Sequence, residues 1–114
     1  MKLDKETKKI ISDYEKELSS KKRLTKEEVE NYINNIKNDP YESYRNLIQG
    51  HLYLAYEIAL KYKAEELTTL DFIHCANEGL EIGVTTRSYS DYDSFIKEME
   101  SAIKETIDLM LSYL

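Results

Sequence analysis

An all-α fold, a compact bundle of about five helices, is what this sequence predicts, and three observations carry that expectation. Gly occurs three times and Pro once in 114 residues, fewer than the tight turns of a sheet protein usually consume. Apolar residues recur at helical spacing through every long segment. A Ser, Thr or Asp with an acid three residues later stands ahead of several of those segments, which is how helices start. An apolar content of 41%, with ten Tyr and two Phe, supports a packed core over disorder. The length is that of one domain with one core.

The elements follow in chain order. Leu3, Ile10, Ile11, Tyr14 and Leu18 form one stripe of a helix over 3–19, and the polar, basic stretch Ser19–Arg23 breaks it. Thr25-Lys26-Glu27-Glu28 reads as a capping box, with Leu24 and Val29 at the hydrophobic-staple positions. Val29, Tyr32, Ile33 and Ile36 then predict a helix over about 26–37. Asp39 caps the next helix, with Pro40 at its first position and Glu42 at the third. Its stripe (Tyr44, Leu47, Ile48, His51, Leu54, Ala55, Ile58, Ala59, Tyr62) predicts one helix of roughly 23 residues and about 34 Å. Gly50 inside it weakens it by about 1 kcal/mol relative to Ala, with close packing as the simplest reason for its presence. Thr68-Thr69-Leu70-Asp71 opens a helix over about 69–82 that buries Phe72, Ile73, Ala76 and Leu80 and ends at Gly83. Ser90, with Asp93 at the third position, caps a last helix over about 91–113. Its inner face is Phe95, Met99, Ala102, Ile103, Thr106, Ile107, Met110, Leu111 and Leu114. Residues 1–23 are thus an N-terminal helix and basic linker, and 24–114 the rest of a single domain.

Charge narrows the function classes. Sixteen Lys and Arg against 22 Asp and Glu give −6, which disfavours generic binding to nucleic acid or anionic membrane. The distribution is uneven: residues 1–26 carry +4 and residues 27–114 carry −10. One cysteine, Cys75, allows no internal disulfide and fits a reducing cytoplasm. No apolar run approaches the ~18 residues of a membrane span, and no apolar stretch follows the charged N-terminus as in a signal peptide.

Catalysis and cofactor binding find little support. The face Asp71, His74, Cys75, Glu78 repeats at i, i+3, i+4, i+7 and serves either as a partner site or as a solvated helix face. As a metal site it is poor, because adjacent His74 and Cys75 point about 100° apart on a helix. For the same reason His74 cannot act as the base for a Cys75 nucleophile. Glu98 and Glu100, two apart, do not face each other. No Gly-rich phosphate loop occurs. His51 reads as a satisfied, semi-buried side chain. Tyr44 and Tyr62 read as core, while Tyr53, Tyr56, Tyr89 and Tyr92 read as exposed and suited to a protein interface. The run Lys21-Lys22-Arg23 reads as a solvated linker or as a contact to DNA or an acidic partner.

Two stretches resemble the sigma-70 family of bacterial RNA polymerase initiation factors. Leu24-Thr25-Lys26-Glu27-Glu28 through Ile36, Asn38-Asp39, Leu47-Ile48 and His51-Leu52-Tyr53-Leu54 are similar to the family's L-T-x-E-E…I-x-x-G-D…L-I-x-x-N-L-x-L, regions 1.2 and 2.1. Ile58-Ala59 and Lys61-Tyr62 continue it like I-A-x-x-Y. Leu70-Asp71-Phe72-Ile73-His74-Cys75-Ala76-Asn77-Glu78-Gly79-Leu80 is similar to L-D-L-I-Q-E-G-N-I-G-L, the region 2.2 motif. Together they span residues 24–84 in the family's order and separation. The resemblance implies a region 2-like bundle that binds core RNA polymerase through the Arg-rich clamp coiled coil of its largest subunit. It places Asp71, His74, Cys75, Asn77 and Glu78 on that docking surface. Asp71 and Asn77 match the motif; His74 replaces Gln, Cys75 replaces Glu, Ala76 replaces Gly, and Glu78 stands at an apolar position.

The family's promoter-melting helix, typified by Y-A-x-x-W-I-R-x-A-I, is not matched. Ser94-Phe95-Ile96-Lys97-Glu98-Met99-Glu100-Ser101-Ala102-Ile103 keeps Ala102-Ile103 but offers Lys97, Glu98 and Glu100 where Trp and Arg would stand. Residues 88–114 carry −4, whereas single strands are gripped by aromatic platforms in a positive groove. DNA contact through this helix is therefore not expected, and no helix-turn-helix occurs within these residues. The expectation is a sigma-70-like domain that binds polymerase without ordinary promoter melting. The alternative is a small acidic helical adaptor or mobile-element regulator with no polymerase contact. Neither reading calls for a cofactor.

Overall fold

Three of the four start signals open helices as expected in the computed structural model, which describes residues 5–114. Leu3, the first residue of the expected N-terminal stripe, lies outside the described residues. The elements are α1 (Lys5–Ser20), α2 (Lys26–Asn34), α3 (Pro40–Gln49), α4 (Leu52–Ala59), α5 (Thr69–Thr86) and α6 (Tyr92–Leu111). Thr25 and Glu28 close a reciprocal capping box on α2, and Thr68 and Asp71 close one on α5. Asp39 Oδ1 accepts from Glu42 N at 3.1 Å to cap α3. At α6 the expected cap is off by one residue. Asp91, not Ser90, is the N-cap, and its partner is Ser94 rather than an acid. Ser94 Oγ accepts from both Ser90 N and Asp91 N, so a hydroxyl fills the place usually taken by Glu. Among the described residues there is no β-strand, and the α4–α5 connection carries an isolated Ala64–Leu67 bridge.

The expected long helix over 40–62 is two helices, and His51 explains the break. His51 N donates to Ile48 O rather than to Leu47 O. The Leu47 carbonyl is taken instead by the His51 ring, whose Nδ1 lies 2.7 Å away. The His51 carbonyl then accepts from Leu54 N and Ala55 N and starts α4. One residue thus ends α3 with its side chain and begins α4 with its backbone. Its ring is 1% exposed and packs 4.8 Å from the Phe95 ring. Burial pushes the imidazole below its ordinary value, opposed by the weaker effect of the Leu47 hydrogen bond. A buried neutral ring is the state that avoids desolvating a charge. Gly50 stands beside this break because an added Cβ would lie 2.4 Å from Leu24 Cδ1.

The two long helices α5 and α6 share the largest interface, and α4 lies along α5. The core between them is Phe72, Ile73, Ala76 and Leu80 from α5 and Phe95, Met99, Ile103 and Ile107 from α6. Leu47, Ala55 and Ile58 close it from α3 and α4, and Val29 and Ile33 from α2. Full burial of a side chain the size of Leu or Phe contributes about 1.5–3 kcal/mol, so these residues dominate the stability. Leu114, expected on the inner face of α6, is exposed. Gly83 does not end α5, which runs on to Thr86. Gly79 and Gly83 instead lie one turn apart on the face that meets α6. A Cβ at Gly79 would stand 2.9 Å from the Ile103 Cα, and one at Gly83 would stand 2.9 Å from the Ala102 Cβ.

Helix α1 is different in kind, for it contributes no buried residue. Ile11, Tyr14 and Leu18 are partly buried against the body. The Tyr14 ring meets the Tyr56 ring edge-on at 5.8 Å, and Tyr56 Oη donates to Glu15 Oε2 at 3.0 Å. Tyr56, expected on the surface, is therefore buried, and Tyr53, Tyr89 and Tyr92 are half-buried. Tyr89 Oη donates to Val84 O at 2.6 Å, and burial, followed by the neighbouring Tyr44, pushes its phenol up to about 12.

Candidate functional site

The α5 capping box sets where the face on α5 begins. Asp71 Oδ2 accepts from Thr68 N at 2.8 Å, and Asp71 N donates to Thr68 Oγ1 at 3.2 Å. One carboxylate oxygen of Asp71 is thereby committed to the helix start. From that anchor, 100° per residue carries His74, Cys75 and Glu78 along the same side of the helix. His74 and Glu78 are exposed, while Asp71 and Cys75 are half-buried. The four line one open groove of about 470 Å³ between α5 and α6. Leu67, Thr106, Leu109, Met110 and Tyr113 complete its walls.

Chemically this groove suits recognition better than reaction. Cys75 Sγ lies 3.5 Å from Thr106 O. Burial, then the Glu78 charge, raises its thiol. Both effects oppose the thiolate that a nucleophile or a metal ligand needs. Among the described residues no three His, Cys, Asp or Glu side chains come together as metal ligands would. What remains is two carboxylates and an imidazole beside an apolar wall on which Leu109 is 58% and Tyr113 81% exposed. Acidic groups beside open apolar surface match an amphipathic cationic helix, and a guanidinium can pair with a carboxylate in a planar, bidentate manner.

Asn77 does not join the other four. It lies under α1, where its Nδ2 donates to Tyr14 Oη at 3.4 Å, and its Oδ1 is buried without a partner. The five residues placed together by the family resemblance are thus divided between an open groove and a covered flank. Reading the sequence misses the α6 side of the groove. Leu109 near the end of α6 and Tyr113 just beyond it, four apart and outside the inner stripe, form a second apolar row, which is the signal that could have found it.

Two acids of α6 and part of the basic linker make contacts within the fold. Arg87, at the C-terminal end of α5, pairs with Glu98 at 3.3 Å, with Glu105, and with Ser101 Oγ. Lys21, Lys22 and Arg23 follow the C-terminus of α1 and share a hollow with Gln49 and Gly50 at the end of α3. Cations there complement the negative ends of two helices. Arg23 also lies over the Tyr53 ring at 4.0 Å and pairs with Glu57 at 3.1 Å. Among the described residues no helix is long and apolar enough to cross a membrane.

Searches against protein families, curated proteins and solved structures return no match to this chain.

Proposed function

We propose that the α5–α6 groove docks an Arg-rich amphipathic helix, and that this helix belongs to the clamp coiled coil of core RNA polymerase. The chain is then a sigma-70-like initiation factor domain that binds polymerase without the usual grip on melted promoter DNA. The observation that carries the reading is the grouping of Asp71, His74, Cys75 and Glu78 along one groove edge beside exposed Leu109 and Tyr113. These residues fall in the stretch that resembles region 2.2. The second half of the reading rests on α6, whose Glu98 and Glu105 occupy Arg87 at the end of α5, and on the net charge of −4 over residues 88–114. An acidic helix repels phosphate.

Size-exclusion chromatography of the full chain with core RNA polymerase, at low salt, tests this. Co-elution is the expected result, and a folded chain that elutes alone sinks the reading. The same acidity of α6 favours a second reading, an acidic adaptor or mobile-element regulator whose partner is another protein. Recovery of a stoichiometric partner other than polymerase subunits from the native host decides for it.

A further inference from the structure

The groove is only part of the surface that the proposed function needs, since Asn77 lies one helical turn from His74 and is capped by Tyr14 of α1. We propose that α1 is a gate on this surface: docked, it covers the Asn77 flank of α5, and the polymerase helix gains that flank only when α1 swings away. This inference rests on the polymerase-docking reading and adds its regulation.

Three features fit α1 to that role. It contributes no fully buried residue and holds the body through the partly buried stripe Ile11, Tyr14, Leu18. Segments held by so few buried apolar contacts open at the low end of a protein's stability range. Second, Asn77, the α5 residue that α1 touches, has its Oδ1 buried and unpaired. A desolvated, unpaired carbonyl costs stability, and the same amide holds α1 only through the 3.4 Å bond from Nδ2 to Tyr14 Oη, so the Asn77 side chain closes this flank weakly. Third, the chain between α1 and α2 supplies a hinge with a fixed end. Residues 21–25 are non-helical. Arg23 is held on the Tyr53 ring and by Glu57, and Lys21 stays with α1 through Glu17 at 3.7 Å and the Leu18 carbonyl, leaving Lys22 as the pivot between α1 and the body.

Closure and partner binding then compete for Asn77, so the apparent affinity falls by the fraction of molecules that are open. Hydrogen exchange and polymerase affinity, both measured on the full chain, test this in Tyr14→Ala and in Leu18→Ala. Leu18→Ala loosens the far end of the stripe without touching Asn77. In both variants exchange across residues 5–20 should rise about tenfold while residues 72–84 stay protected, and polymerase should bind at least about threefold more tightly. Freed α1 with unchanged or weaker affinity overturns the gate and leaves the docking reading standing. An α1 that stays protected in both variants also overturns the gate. Failure of parent and variants alike to bind polymerase overturns the docking reading and the gate with it.

Discussion

Replacing Gly79 with Ala places a methyl group in the close-packed seam between α5 and α6. The new Cβ would lie 2.9 Å from the Ile103 Cα and 3.0 Å from the Thr106 Cβ and Oγ1. The first of these neighbours is backbone, so the strain is relieved only by moving α6 off α5. That movement loosens the seam holding Phe72, Leu80, Phe95 and Ile103. Overpacking of this kind costs about 1–3 kcal/mol, and a backbone obstacle puts Gly79→Ala at the upper end. Better helix propensity returns about 1 kcal/mol, leaving a net loss of about 2 kcal/mol. For a domain of this size that is a fall in Tm of about 8 °C. At Gly83 the new Cβ would lie 2.9 Å from the Met99 Sδ, which can turn away, and 2.9 Å from the Ala102 Cβ, which moves only with its backbone, so Gly83→Ala should also destabilise. Thermal unfolding followed by far-ultraviolet circular dichroism measures both variants. A Gly79→Ala or Gly83→Ala chain as stable as the parent contradicts the close packing of the two helices.

Other consequences follow from single residues. Because burial lowers the His51 imidazole, the unfolded chain takes up a proton near pH 6.5 that the folded chain refuses. Stability is therefore full above about pH 6.5 and falls below it, by at most about 1.4 kcal/mol per pH unit, until folded His51 itself protonates. The lowered carboxylates Glu28, Asp91 and Glu105 lose their contribution only at more acidic pH. Urea unfolding at pH 7.5 and 5.5 should show this slope in the parent and a flatter one in His51→Phe; equal slopes would contradict it. Thr68→Ala removes the α5 cap and should cost about 1 kcal/mol, read as a fall in urea midpoint, with polymerase binding kept. Asp71→Arg should lower both stability and binding, since Asp71 caps α5 as well as lining the groove, and a stability matching the parent would disprove the dual role.

Most of the fold is legible in the sequence because its signals are local. Caps at Thr25, Asp39 and Thr68 are written in three or four residues, and the stripes of α5 and α6 name their own core. Apart from the α6 cap, where Asp91 and Ser94 take the place expected of Ser90 and Asp93, the misses are tertiary. Nothing local distinguishes Gly50-His51 within a helix from Gly50-His51 at a break. The break depends on a ring nitrogen reaching the Leu47 carbonyl and on Phe95 from a distant helix closing over it. Gly83 reads as a terminator until α6 is laid against it, when it becomes half of a close-packed pair with Gly79. At the candidate site, helical spacing alone groups Asp71, His74, Cys75 and Glu78. The separation of Asn77 depends on where α1 docks, and the apolar wall depends on the register of α6, neither of which a helix's own sequence encodes.

If a cationic helix docks against the α5 carboxylates, Glu78 is the residue to change, being exposed and outside every cap. The measurement is calorimetric titration of the clamp coiled coil into the parent and into Glu78→Arg, repeated with clamp helices whose Arg residues are changed one at a time to Glu. Glu78→Arg should keep the parent's melting temperature and lose at least about tenfold in affinity, as expected for a desolvated charge pair, and one Arg→Glu clamp should restore it. Equal binding by the parent and Glu78→Arg would rule out docking of a cationic helix at the α5 carboxylates.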